Sequence, residues 1–180
     1  MTRGLGVATA LAVLFTCTFA ASPASAAKKR GCSGASAMPT ASTVAQANGT
    51  ILCLINAQRA ARRTSRLRPS ALLSSAALGH STDMVASRFF AHDSLDGQTP
   101  RQRAARAGYA AAGSVEEALA VGWAQLSTPR SLVAALMRSA IHRSILLDRR
   151  LRYIGVGLVL GAPQPGAAGG ATLTLDLARR

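Results

Sequence analysis

Few side chains in this sequence could do chemistry. There are three histidines and seven acidic residues, against 21 lysines and arginines. His92, Glu116, Glu117 and His142 stand out, because the pattern puts each at a helix end or turn, where side chains converge. His92 sits in "SRFFAHDSLDGQTP", residues 87–100, between an amphipathic run ending in two phenylalanines and a Thr-Pro helix start. Two histidines and a carboxylate form a ligand set for Zn²⁺, with a fourth position open to water. The spacing does not enforce that reading, since neither H-E-x-x-H nor C-x-x-C occurs. A serine nucleophile lacks a G-x-S-x-G turn. His80 points from a helix toward the core edge, where a hydrogen-bonded structural histidine is the plainer reading.

The elements that must position these groups follow from periodicity. Thr43 to about Arg63 is helical, with Val44, Ala47, Ile51, Leu54 and Ile55 on one side at spacings of three and four. Pro69-Ser70 opens a second helix running to about Phe90, with Leu73, Ala77, His80 and Met84 on one face. Thr99-Pro100 starts a third, Thr as N-cap and Pro at the first helical position, and Gly108 ends it. Thr128-Pro129 repeats the device and starts a helix through Met137 or beyond. Glu116 to Gln125 reads as a short helix or irregular turn. The tail changes period: "YIGVGLVL", residues 153–160, and "ATLTLDLA", residues 171–178, read as two buried strands joined by a loop. The glycines inside the first suit close packing better than a phosphate loop. Helices followed by an antiparallel hairpin give an α+β class, a three-layer α-β-α sandwich with a small antiparallel sheet.

Length fits one domain, and 49% hydrophobic content allows a packed core, although much of it is alanine. Residues 1–26 read as a secretory signal: Arg3, an apolar run from Leu5 to Ala21, and Ala24-Ser25-Ala26 as the cleavage site. No transmembrane anchor is expected after cleavage. Residues 27–42 are rich in Lys, Gly, Ser, Ala and Pro and read as an extended, flexible arm; the domain proper runs from 43 to 180. Beyond the leader two cysteines remain, Cys32 and Cys53, which in a secreted chain suggest one disulfide; two free thiols are the alternative. Removing the leader takes only Arg3 from the formal charge of +14. The arginines are spread along the chain without an aromatic-interleaved stripe, so no nucleic-acid partner is expected. Anionic cell-wall polymers or lipid headgroups are the more physical partners for such a charge, and a solvated surface is the simplest reading.

Four blocks occur in order: residues 53–84 ("CLINAQRAARRTSRLRPSALLSSAALGHSTDM"), 88–109 ("RFFAHDSLDGQTPRQRAARAGY"), 116–123 ("EEALAVGW") and 128–161. Together they resemble the bacterial branch of the CAP superfamily, the SCP-like extracellular domains related to cysteine-rich secretory proteins, antigen 5 and pathogenesis-related 1 proteins. The resemblance implies an α-β-α sandwich, secretion, and a cleft lined by two histidines and acidic residues that binds divalent metal such as zinc in some members. It carries His92, Glu117 and His142 into that cleft, with His92 and His142 as metal ligands, and makes His80 and Asp83 structural. The pattern is eroded. The family's Gly-Glu-Asn is Glu116-Glu117-Ala118, the Pro-Gly before the second histidine is Ala140-Ile141, and the asparagine after it is Ile145. Losing polar groups around a cleft weakens support for any ligand set. The resemblance implies a non-enzymatic module that binds a lipid, sterol or cell-wall component. The alternative is a metal-assisted hydrolase with Glu117 as general base, and a third reading is a surface protein whose asset is its fold.

Overall fold

The computed structural model describes residues 1–2, 31–164, 166 and 169–179. The leader expected over residues 1–26 therefore lies outside the described residues, apart from Met1 and Thr2. In order, the elements are α1 (Val44–Ala60), β1 (Arg68–Pro69), α2 (Ala71–Ala86), α3 (Pro100–Arg106), β2 (Glu116–Gly122), α4 (Pro129–Arg138), α5 (Ala140–Leu147), β3 (Tyr153–Leu160) and β4 (Ala171–Ala178). Helix starts follow local chemistry. The Thr99 hydroxyl accepts from the Gln102 amide in a capping box ahead of Pro100. Thr128 accepts from the Ser131 amide ahead of Pro129, and Ser70 and Ser139 cap α2 and α5.

The sheet runs β1-β3-β4-β2. β3 and β4 form the antiparallel hairpin read from the sequence, and β2 extends it antiparallel to β4. β1 pairs parallel with β3, so the sheet is mixed rather than purely antiparallel. Register sorts the side chains into two faces, because successive residues of a strand point to opposite sides. Ile154, Val156, Leu158, Leu173, Leu175, Leu177, Ala118 and Ala120 join Ile51, Ile55, Leu132 and Leu136 of α1 and α4 in the main core. The other face carries Gly155, Gly157, Thr174, Asp176, Glu117 and Leu119, under α2. There α2 lies directly on β3. A Cβ on Gly155 would stand 2.1 Å from the Leu73 carbonyl carbon, and one on Gly157 2.3 Å from that of Ala77. The Ser81 hydroxyl donates to the Gly157 carbonyl at 2.7 Å and lies 2.8 Å from the Thr174 hydroxyl. Helices thus cover both faces of one sheet, which is the α-β-α layering.

Three expectations need correction. Glu116 to Gln125 is not a helix or irregular turn: residues 116–122 form β2, followed by a 3-10 turn at Ala124–Ser127. Its Ala, Leu and Glu residues favour helix by themselves, but full pairing with β4 overrides that preference. α2 stops at Ala86 rather than Phe90, and Arg88 takes a positive φ of 55° just beyond it. Residues 31–42 run in turns rather than as an extended arm. Their backbone is held: the Ser33 carbonyl accepts from the Thr50 hydroxyl at 2.8 Å and the Ala35 carbonyl from the Arg130 amide at 2.8 Å. The Cys32–Cys53 disulfide is formed and ties this segment to α1.

Candidate functional site

Glu117 is the centre of the site. It is the second residue of β2, on the α2 face, directly opposite Asp176 of β4. Its Oε1 lies 2.7 Å from His92 Nδ1, and its Oε2 accepts from Arg103 Nη2 at 2.6 Å. The Glu117 side chain is 2% exposed and that of His92 55%, so a buried carboxylate reaches the surface through one imidazole.

Arg103, on the last turn of α3, organises the surroundings. Besides Glu117 it donates to the His92 carbonyl at 2.9 Å, the Gln98 carbonyl at 2.8 Å and the Ser94 hydroxyl at 3.2 Å. One buried guanidinium therefore fixes the turn of residues 92–98 against β2. The turn closes itself through Gly97, with φ of 79°, whose amide donates to the Ser94 carbonyl at 2.8 Å. Asp96 Oδ1 accepts from the Gln98 amide at 3.1 Å, as expected of a turn aspartate. Asp93 makes no such bond among the described residues.

Asp176 sits under this network, and neither of its buried oxygens finds a hydrogen-bond partner among the described residues. Two carboxyls directly opposed across neighbouring strands repel if both ionise. Burial raises Asp176 to about 8, the nearby Glu117 charge adding to it. Burial also raises Glu117, to about 7, with Arg103 pulling it back. Glu117 has two donors and Asp176 none, so Glu117 is the member that ionises first and Asp176 keeps the proton at neutral pH.

The histidines separate into different environments. His142 is half-buried on α5; burial, then the neighbouring His92, holds it below the ordinary imidazole value. It lies three residues before Ile145, on the same side of the helix. Ile145 lines the cleft that opens beside His92 and Glu117, together with Pro100, Arg101, Val115 and Glu116, in a volume of about 540 Å³. The fold thus joins His92 to Glu117 directly and brings His142 within electrostatic reach of His92, but not into a bond with either. His80 is buried, its Nε2 donating to the Ala91 carbonyl at 2.9 Å. Burial, then Arg103, lowers it to about 4, so it stays neutral. Asp83 accepts from the Ser87 hydroxyl at 2.9 Å, at the end of α2.

This donor set does not fit zinc. Both Glu117 oxygens are taken, one by a fixed cation, and Arg103 would repel a second cation there. Among the described residues no group of three or more His, Cys, Asp or Glu side chains converges to hold a metal ion. Arg103 and Asp176 were not singled out in the sequence. Arg103 is one of 21 basic residues, and its only signal is its place three residues after Pro100. Asp176 has a better one, as the sole acid in a strand otherwise made of Ala, Leu and Thr.

The CAP model, the cysteine-rich secretory protein family, matches residues 52–167. No curated protein matches the sequence. Several solved structures are similar, three of them as follows. An extracellular SCP-domain protein from Bacillus anthracis is 23% identical with a TM-score of 0.63, over 79% of this chain and 44% of that one. An outer surface protein from Borrelia burgdorferi is 19% identical with a TM-score of 0.61, over 73% and 91%. A cysteine-rich secretory protein from Staphylococcus aureus is 19% identical with a TM-score of 0.54, over 76% and 39%. The chain spans less than half the length of the Bacillus and Staphylococcus proteins.

Proposed function

Because the chain belongs to the cysteine-rich secretory protein family, we propose that it is an extracellular, non-enzymatic binding module whose cleft beside β2 holds a lipid, sterol or cell-wall component. The observation that carries this reading is the state of Glu117. It is the one carboxylate of the cleft with a buried, directed geometry, and both its oxygens are already bonded within the protein. Each oxygen keeps a second lone pair, but a general base must reach the proton it takes, and this side chain is only 2% exposed. Thr99, the one hydroxyl lining the cleft among the described residues, caps α3 and is not a free nucleophile. What remains toward solvent is an apolar wall of Pro100, Val115 and Ile145, with Arg101, the exposed Glu116 carboxylate and the His92 ring at its rim. A volume of about 540 Å³ suits one small amphiphile rather than an extended peptide.

An extracellular location rests on the family, on the disulfide, and on the extracellular and outer-surface descriptions of the Bacillus and Borrelia proteins. Among the described residues no helix is long and apolar enough to cross a membrane.

The test is equilibrium binding of the oxidised protein to a labelled fatty acid, a labelled sterol and purified cell-wall sacculi, beside Ile145→Asn. Saturable binding of one of these, weakened about tenfold or more by the cleft substitution while the circular dichroism spectrum is kept, supports the reading. Turnover of an ester or peptide substrate, abolished in Glu117→Gln, would replace it with the hydrolase.

A further inference from the structure

A second groove, with a volume of about 850 Å³, lies away from this cleft, between α1 and β1. β1 and β2 are opposite edges of the sheet, so roughly 14 Å of strand spacings separates the two sites. They share no lining residue. Three arginines line the groove, Arg66, Arg68 and Arg152, and no acidic residue does among the described residues.

The arginines are placed by rigid backbone. Arg66 and Arg68 are alternate residues of an extended segment, so they project to one side, while Leu67 between them is buried. Asn56 clamps the Leu67 peptide from both ends, accepting from its amide at 2.8 Å and donating to its carbonyl at 3.1 Å. The Arg68 amide donates to the Arg152 carbonyl at 2.8 Å, which sets Arg152 beside it. Such fixation lowers the ordering cost of binding.

Their charge is not answered locally. Arg66 and Arg68 form no ion pair or side-chain hydrogen bond among the described residues, and the Arg152 guanidinium bonds only the main-chain carbonyls of Arg149 and Leu151. Behind them Arg59 is fully buried, its guanidinium bonded to the carbonyls of Ser65, Leu146, Asp148 and Leu151. Asp148 is paired with Arg150. The groove is thus a concave site with a concentrated positive field and a partly apolar floor of Leu52 and Tyr153.

We propose that the groove between α1 and β1 binds a polyol phosphate, its phosphate held by Arg66, Arg68 and Arg152 and its body lying along Leu52 and Tyr153. Guanidinium forks match phosphate oxygens in pairs, and the groove is far larger than a bare phosphate needs. Such a group occurs free, within a soluble polymer, or as a lipid headgroup. This site is independent of the ligand proposed for the cleft.

The test measures binding of glycerol phosphate by calorimetry, and of phosphatidylglycerol vesicles by co-sedimentation against phosphatidylcholine vesicles, at near-physiological salt. Arg66→Gln with Arg68→Gln is compared with Arg106→Gln with Arg138→Gln, which removes the same charge from exposed positions elsewhere. The proposal expects at least a tenfold loss in the groove variant and less than twofold in the charge-matched one. Binding of glycerol phosphate points to a free or polymeric source, and binding of vesicles alone to a headgroup; either, lost only in the groove variant, supports the site. Equal losses in both variants would reduce it to a diffuse field, and no binding to either probe at millimolar phosphate would overturn it.

Discussion

Asp176 is the residue on which the site's electrostatics turn. It is fully buried, has no hydrogen-bond partner among the described residues, and faces Glu117 across the strand pair. Its carboxyl is raised to about 8, against an ordinary value of about 3.9. Between those values the unfolded chain has released the proton and the folded one has not, so this residue's contribution to stability falls as pH rises from about 4 to about 8. Asp176→Asn keeps the shape of the protonated acid and cannot ionise. It is expected to melt above the wild type at pH 8, with the gap narrowing toward pH 5 and closing near pH 4. His80 acts in the opposite sense: lowered to about 4, it adds stability above about pH 6.5 that is lost as pH falls toward 4. That contribution is common to both proteins and cancels in the comparison. Thermal melts of the pair across pH 4 to 8 measure the difference, and a gap independent of pH would show that Asp176 is ionised in the fold. Of this only the lone acid was legible in the sequence, as the single carboxylate of an alternating strand. Residue type gives charge, but the burial and the opposing carboxyl come from the register of β2 against β4.

At the scale of elements, what was legible had a local chemical cause. The Thr-Pro starts of α3 and α4 and the alternation of β3 and β4 were readable because capping and pleat act over a few residues. β2 was not, since Glu, Ala and Leu suit a helix and only the partner strand decides otherwise. The two-residue β1 carries too little pattern to read. The glycines of β3 were legible as close-packing positions, and the backbone of α2 over Gly155 and Gly157 gives the reason. Gly157→Ala would place a methyl 2.3 Å from the Ala77 carbonyl carbon, so α2 must lift from the sheet. We predict a loss of at least about 2 kcal/mol, at or above the middle of the overpacking range. Chemical denaturation checks it, and an unchanged midpoint would mean that α2 is not seated as described. The same seating holds the β2–β4 face on which Glu117 and Asp176 lie.

At the scale of the whole molecule, a basic chain carries a sheet with a proposed binding site at each edge. The overall charge was legible, but its concentration at the groove was not, because Arg66, Arg68 and Arg152 meet only through the β1–β3 pairing. The family resemblance pointed to His92, Glu117 and His142, of which the fold bonds the first two to each other, whereas Arg103, which adds a salt bridge to Glu117, looked like any other arginine. The Cys32–Cys53 bridge closes a separation of 21 residues, which in the chain-entropy model contributes about 3 kcal/mol. Cys32→Ser with Cys53→Ser is expected to lower the denaturation free energy by about that amount while leaving the cleft, built by α3, α5 and β2, intact. Denaturant titration of the oxidised and double-serine proteins measures it, and a loss below about 1 kcal/mol would show that the turns of residues 31–42 hold without the bridge.

A binding surface in the cleft beside β2, with Glu117 already bonded within the protein, has a direct consequence for ligand titration. Backbone amide NMR of the oxidised protein, titrated with the best ligand from the fatty acid, sterol and sacculus-fragment series, tests it. Saturable shifts centred on Val115, Glu117 and Ile145, with the ligand recovered chemically unchanged, are the predicted result. Shifts confined to other parts of the molecule, or a ligand recovered cleaved, would contradict it.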